Sequence, residues 1–203
     1  MSSYRIVGVG SLLSKESALN TCPSARDFKL AKLKGYIRIF NKVYSPCVRE
    51  GKLKEGCNKI AALSLVPAVE KQDPMVSVFT IEKEDWHDFL MRESDYKLVE
   101  LPYFDIESDE ELGRGVACLG DFSSEREYEE MCASDPVRHR QWRAFKDNTA
   151  DKMWRSDILP EEEYLQECIE ASQEIHQNVH QNFLDTTFLA DGQTSIRDYI
   201  QQK

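Results

Sequence analysis

The chain has 203 residues, 41% of them hydrophobic, which suits one domain with a real core or a domain with a sizeable extension. No apolar run approaches the roughly 18 residues of a membrane span, and MSSYR followed by a glycine-rich turn lacks a signal-peptide profile, so a cytoplasmic protein is expected. Lys and Arg number 26 against 36 Asp and Glu, a net charge of −10, which disfavours nucleic acid and anionic membranes as partners and favours a small molecule or a protein.

The first apolar segment, YRIVGV, runs straight into Gly8-Val9-Gly10-Ser11. Glycines let a backbone approach something closely, and successive N–H groups just past a strand form an anion cradle. An ordinary tight turn accounts for the same residues. A G-x-G-x-x-G dinucleotide fingerprint would need glycine at position 13, which is Leu13, and Asp27 precedes the next strand where a ribose-binding acid should follow one. No G-K-[ST] follows, which excludes a P-loop.

Further along, FKLAKLKGYIRIF, KIAALSLV, MVSVFTI, KLVELPYFDI and GVACLG read as strands bounded by turn residues. The run RDFKLAKLKGYIRIFNK carries six positive side chains against one acid; the acidic chain as a whole argues for a strand pair with basic outward faces over a nucleic-acid surface. Between strands, EKEDWHDFLMRESDY reads as a helix with acids in its first turn and Trp86, Phe89 and Leu90 at helical spacing. At about 100° per residue Glu93 projects roughly 20° from Trp86, within the arc bounded by Phe89 and Leu90. Either its carboxylate faces the core, where desolvation raises its pKa, or the helix frays by Arg92 and the glutamate turns to solvent. Strands with few helices suggest an α+β domain whose sheet curls into a barrel.

Composition changes after Phe122, where SSEREYEEMCASDPVRHRQWRAFKDNTADKMW is polar and helix-prone, with Pro136 as a breaker. DILPEEEYLQECIEASQEIHQNVHQNFL then places Pro160 near a first helical position and three glutamates in the first turn. Leu165, Ile169, Ser172, Ile175, Val179 and Phe183 trace one face of this expected helix. The expected division is a barrel domain over 1–122 and a helical extension over 123–203 packed on it.

Six cysteines without a C-x-x-C pair read as free thiols and signal neither a zinc site nor a disulfide framework. His176 and His180 are spaced i, i+4 without a third ligand, so a solvated or capping role is expected of them and no metal. No G-x-S-x-G is present, and no Ser or Cys has a visible histidine partner.

The glycine turn and the inward glutamate together resemble the γ-glutamylcyclotransferase-like family. Val9-Gly10-Ser11-Leu12 is similar to that family's Y-G-S-L turn, Glu93 in FLMRESDY to its catalytic glutamate in an R-E-x-x-Y-like setting, and KLKGYIRIF and ALSLVPA agree in order and spacing. The resemblance covers about residues 4 to 122, and the tail looks like an extension found on some eukaryotic members. It implies a mixed β-barrel of about six strands with flanking helices and a cavity at the barrel mouth. It further implies cyclisation of a γ-glutamyl group, from glutathione or another γ-glutamyl peptide or amine, to 5-oxoproline with release of the amine. No cofactor or metal is implied. Glu93 would be catalytic, and the backbone of Val9, Gly10, Ser11 and Leu12 would hold the γ-glutamyl moiety. Val9 departs from the motif's tyrosine. The alternative is a catalytically inactive small-molecule-binding or protein-interaction module on the same fold. Substrate preference and oligomeric state are left open.

Overall fold

The computed structural model describes residues 3–52, 56–68, 71–120, 125–148 and 152–202. The first strand, β1 (Ser3–Gly8), is exposed at its start and buries its last three residues as it enters the covered part of the sheet. It pairs antiparallel with β5 (Met75–Glu82), from Ser3 opposite Glu82 to Gly8 opposite Ser77. On its other side β5 carries β2 (Arg26–Lys32), β2 touches β6 (Lys97–Phe104), and β6 forms a long antiparallel ladder with β7 (Glu111–Leu119). A parallel bridge from Ile6 to Val116 brings β7 back to β1 and closes a five-stranded mixed barrel.

The ring takes five strands because β7 changes partner along its length. Val116 faces β1, whereas Leu119 pairs with Leu65 of β4 (Lys59–Pro67). A wing grows from there: β3 (Tyr36–Val43) lies antiparallel on β4, β8 (Leu159–Pro160) beside β4, and β9 (Thr187–Leu189) parallel to β3. The expected mixed α+β barrel with flanking helices is therefore the fold, extended by four strands outside the ring.

The segment FKLAKLKGYIRIF forms two strands with a bend at Gly35, whose φ of 77° lies in the left-handed region. Those two strands, β2 and β3, take different partners and do not form the expected basic pair. The cations of the longer run RDFKLAKLKGYIRIFNK scatter accordingly, Arg26 to Glu82, Lys34 to Asp109 and Lys42 to Asp95.

Helices α1 (Lys15–Thr21), α2 (Ser45–Arg49) and α3 (Trp86–Arg92) punctuate the barrel, and α4 (Glu125–Ala133) and α5 (Pro136–Asn148) follow it. Pro136 opens α5, where its missing N–H costs nothing. In α6 (Glu162–Ile175) the N-cap is Glu161, whose carboxylate accepts the Tyr164 N–H at 2.8 Å, and Pro160 lies just before it in β8. The expected single long helix breaks at His176, which caps α7 (Gln177–Thr186) by accepting the Asn178 N–H on Nδ1. This break leaves Ile175 exposed while Leu165, Ile169, Ser172, Val179 and Phe183 stay buried. A last helix, α8 (Ile196–Gln201), closes the described chain. Among the described residues no helix is long and apolar enough to cross a membrane.

A single apolar cluster runs from Val7, Leu65 and Tyr103 in the sheet to Trp142, Leu165 and Phe183 in the C-terminal third, while a second, around Ile6, Phe79 and Phe89, lies with α1 and α3. The expected boundary between 122 and 123 falls outside the described residues. Arg38 ties the wing to the tail. Fully buried, it donates to Met75 O at 3.1 Å, Asn182 Oδ1 at 3.0 Å and Thr186 Oγ1 at 2.6 Å, and its guanidinium stands 4.8 Å from the Phe183 ring. Asn182 and Thr186 lie toward the C-terminal end of α7, where the helix dipole favours a cation.

Candidate functional site

The two glycines after β1 are required by close approach. A Cβ on Gly8 would stand 2.4 Å from the Leu12 carbonyl oxygen and 2.5 Å from Ser77 Oγ, because the chain curls back over it and Ser77 Oγ donates to Leu12 O at 2.6 Å. A Cβ on Gly10 would meet Tyr164 Oη at 3.0 Å and Cys168 Sγ at 3.4 Å, both from α6. The turn then makes one tight helical loop over Ser11–Leu13, with Leu13 N–H donating to Gly10 O. Val9 and Leu12 are buried in the larger and the smaller apolar cluster respectively. Ser11 lines a cavity.

That cavity holds about 660 Å³, within the range of small-molecule sites, and is walled by both parts of the chain. Ser11, Glu93 and Asp95 face it from the barrel side, Tyr44 and Val48 from the β3–α2 segment, and Phe145, Met153 and Tyr164 from the C-terminal third. Tyr44 and Tyr164 stack with ring centroids 4.8 Å apart, and burial pushes the Tyr44 hydroxyl up to about 12, so it is protonated at neutral pH.

Glu93 lies one residue past the end of α3, at φ −101° and ψ 18°, with its N–H still bonded to Phe89 O at 3.0 Å. The helix ends at Arg92, yet Glu93 is only 9% exposed: its near-helical backbone preserves the inward direction. Burial raises its pKa above the ordinary carboxylate value, against the opposing pull of the Arg92 guanidinium, the Cys118 thiol and Lys42. Arg92 Nε stands 3.1 Å from Glu93 Oε1, and its two terminal nitrogens donate to Ser17 O, Thr21 Oγ1, Ser11 Oγ and Ser17 Oγ at 2.7–3.1 Å. Arg92 thus links the end of α3 to the glycine turn. Among the sequence-expected residues, the structure brings Ser11 and Glu93 to one cavity and sets the side chains of Val9 and Leu12 away from it.

Asp95, two residues on, was not singled out from the sequence. Burial pushes its pKa up, but Lys42 at 3.0 Å and a short bond from Ser45 Oγ outweigh that and hold it below its ordinary value. Lys42 is itself buried, donates to Val43 O and lies 4.9 Å from the Tyr96 ring. Two carboxylates with proton affinities pushed apart therefore share one cavity, an arrangement suited to one group moving a proton while the other stays charged. Tyr96 donates to Leu63 O at 2.7 Å, which ties the residue before β6 to the middle of β4.

The Ser11 backbone and the Tyr164 hydroxyl both face the Cys168 thiol, and a Cβ on Gly10 would stand 3.4 Å from its sulfur, so α6 rests on the glycine turn. Burial pushes the Cys168 thiol up to about 12, which makes it a poor nucleophile. No histidine lines the cavity; His180 Nδ1 faces Ser172 Oγ at 3.1 Å and His176 caps α7. Among the described residues no three His, Cys, Asp or Glu side chains form a metal-binding group. Asp95 has a sequence signal, since it sits in the same turn as Glu93. Tyr164 and Lys42 have none, because only the docking of α6 and the burial of β3 on both faces bring them in.

No protein-family model matches the chain, and no curated protein matches it. Solved structures with a similar backbone include a γ-glutamyl cyclotransferase at 13% identity, covering 74% of this chain and 90% of its own, with a TM-score of 0.45. An uncharacterized protein from Homo sapiens matches at 14% identity over 75% of this chain and 91% of its own, TM-score 0.44. A yeast γ-glutamyl cyclotransferase specific to glutathione matches at 13% identity over 89% of this chain and all of its own, TM-score 0.43. At this identity and superposition the likeness does not speak to activity.

Proposed function

We propose that the protein is a γ-glutamylcyclotransferase-like enzyme that converts a γ-glutamyl amide to 5-oxoproline and a free amine. The observation that carries this is one cavity in which the glycine turn at Ser11 meets a buried Glu93 of raised proton affinity beside an ionised Asp95.

The chemistry needs little more. The substrate's α-ammonium, drawn by the two carboxylates, gives a proton to Glu93, and the freed amine attacks its own γ-carbonyl carbon. A C–N bond forms to close the five-membered ring, the old amide C–N bond breaks, Glu93 returns its proton to the departing nitrogen, and the second proton that the ring nitrogen sheds leaves with the amine as its ammonium. No water is consumed, and the apolar wall of Tyr44, Val48, Phe145 and Met153 keeps the folded substrate from bulk solvent. The backbone N–H groups of Val9, Gly10, Ser11 and Leu12 are the proposed cradle for the α-carboxylate. A carboxylate is a far better acceptor than the neutral Cys168 thiol that faces the Ser11 backbone here, so it wins that N–H over the sulfur. The same thiol contact is what favours the second reading, a non-catalytic binding module whose cradle α6 occupies.

Mass-spectrometric detection of 5-oxoproline after incubation with glutathione and a panel of γ-glutamyl dipeptides and amines separates the two. Product from the parent and none from Glu93→Gln is expected. Full turnover by Glu93→Gln refutes the role of the glutamate, and binding without product from the parent favours the module.

A further inference from the structure

The charges around the cavity are unequal in kind. Lys42 is held by Asp95, and Arg92 by Glu93 and four oxygen acceptors, so neither cation is free for a ligand. At the mouth, Arg49 ends α2 and Arg140 lies on α5, which packs against α2. Both line the cavity, both are exposed, and among the described residues neither has an ion-pair partner. The opposing acid at the mouth is Glu167 on α6, also exposed. Arg49 helps to hold Asp95 ionised, so its charge reaches into the site. A chain of net charge −10 has therefore placed, at the entrance of this cavity, two guanidinium groups without an ion-pair partner among the described residues.

The geometry points to a leaving-group subsite in which Arg49 and Arg140 bind a carboxylate, so that the substrates are γ-glutamyl amino acids or peptides with a free C-terminal carboxylate, and uncharged γ-glutamyl amines are poor ones. This rests on the cyclotransferase reading. If Ser11 and Glu93 face the γ-glutamyl end, the departing amine points away from them, past Tyr44 and Val48 toward the mouth. An α-amino acid leaving group puts its side chain against that apolar wall and its carboxylate near the two arginines. The planar guanidinium suits carboxylate recognition better than an ammonium does. Glu167 opposes the same carboxylate and limits the preference.

The test compares γ-glutamyl-alanine with its C-terminal amide, which differ in one charge. 5-Oxoproline formation gives kcat/KM for each, and calorimetry on the Glu93→Gln protein gives each affinity without turnover. An exposed charge pair is worth up to about fivefold, so with two arginines the acid is expected to exceed the amide by about two- to twenty-fivefold. The preference falls toward one in Arg49→Gln with Arg140→Gln, is partly kept by the two lysine variants, grows in Glu167→Gln and shrinks at high salt. Equal values for acid and amide in both assays overturn the subsite. So does a preference that survives the double glutamine variant. Absence of 5-oxoproline from every substrate overturns the cyclotransferase reading alone, and the calorimetric comparison then still decides the subsite.

Discussion

Gly8 offers the sharpest structural test of why the turn is built as it is. A methyl group there lands 2.4 Å from Leu12 O and 2.5 Å from Ser77 Oγ, about 1 Å inside ordinary contact distance. Neither neighbour is a flexible tip: one is backbone, and the other is a short side chain held by its own hydrogen bond to that backbone. Overpacking of this kind costs about 1–3 kcal/mol, and pushing Ser77 off Leu12 O leaves a buried carbonyl unpaired for about 1–3 kcal/mol more. Gly8→Ala is thus expected to lose about 2–6 kcal/mol in urea denaturation and, at about 2–4 °C per kcal/mol for a chain of this size, to melt several degrees lower. Ser77→Ala alone loses the bond without the clash and falls by about 1–3 kcal/mol. The double variant should fall by less than the sum, because removing Ser77 Oγ relieves one of the two contacts. A Gly8→Ala protein within about 0.5 kcal/mol of the parent would refute the reasoning, since surface-like tolerance is incompatible with a carbonyl curled onto the α-carbon.

Four further outcomes are expected. The acid limb of kcat/KM against pH should lie above the ordinary glutamate value of about 4.3, because burial raises Glu93, and should move to lower pH in Asp95→Asn, which removes a nearby negative charge and leaves Lys42 unpaired. Since the folded pKa of Glu93 exceeds the unfolded one, the native state holds the extra proton, and stability falls as pH rises through that window. Glu93→Gln should flatten the fall in a denaturation series over pH. Cys168→Ala clears the sulfur from in front of the Ser11 backbone and should tighten binding of a γ-glutamyl ligand by up to about fivefold, at most the worth of one neutral hydrogen bond, whereas Cys168→Ser places a stronger competing acceptor there and should weaken it; calorimetry reads both. Five of the six free cysteines are buried, with Cys57 half-buried, so a thiol reagent should label one site quickly in the native protein and six after denaturation.

Much of the barrel was legible because its strands are runs of β-branched and aromatic residues cut by turns. Glu93 was legible from helical spacing, and the two alternatives foreseen for it both hold in part: the helix does stop at Arg92, and the carboxylate is buried all the same. What escaped the sequence was set by tertiary packing. β8 and β9 are two and three residues long, too short for any periodicity. The break at His176 carries no proline or glycine; it depends on a side-chain cap and on the seat of α7 against Arg38. Lys42 and Asp95 are 53 positions apart, and nothing local announces that they meet.

The parallel seat of β9 on β3 also has a consequence for synthesis. β3 emerges among the first strands, but the strand that covers its outer edge and the helix that accepts Arg38 come about 140 residues later. At ribosomal speeds of roughly 5–20 residues per second, that edge waits for about 7–30 seconds with its backbone groups unpaired and a guanidinium in place of a neighbour. A cation on an open edge is a known deterrent to pairing with the wrong strand. Arg38 can therefore serve the nascent chain as a guard and the finished protein as a bolt.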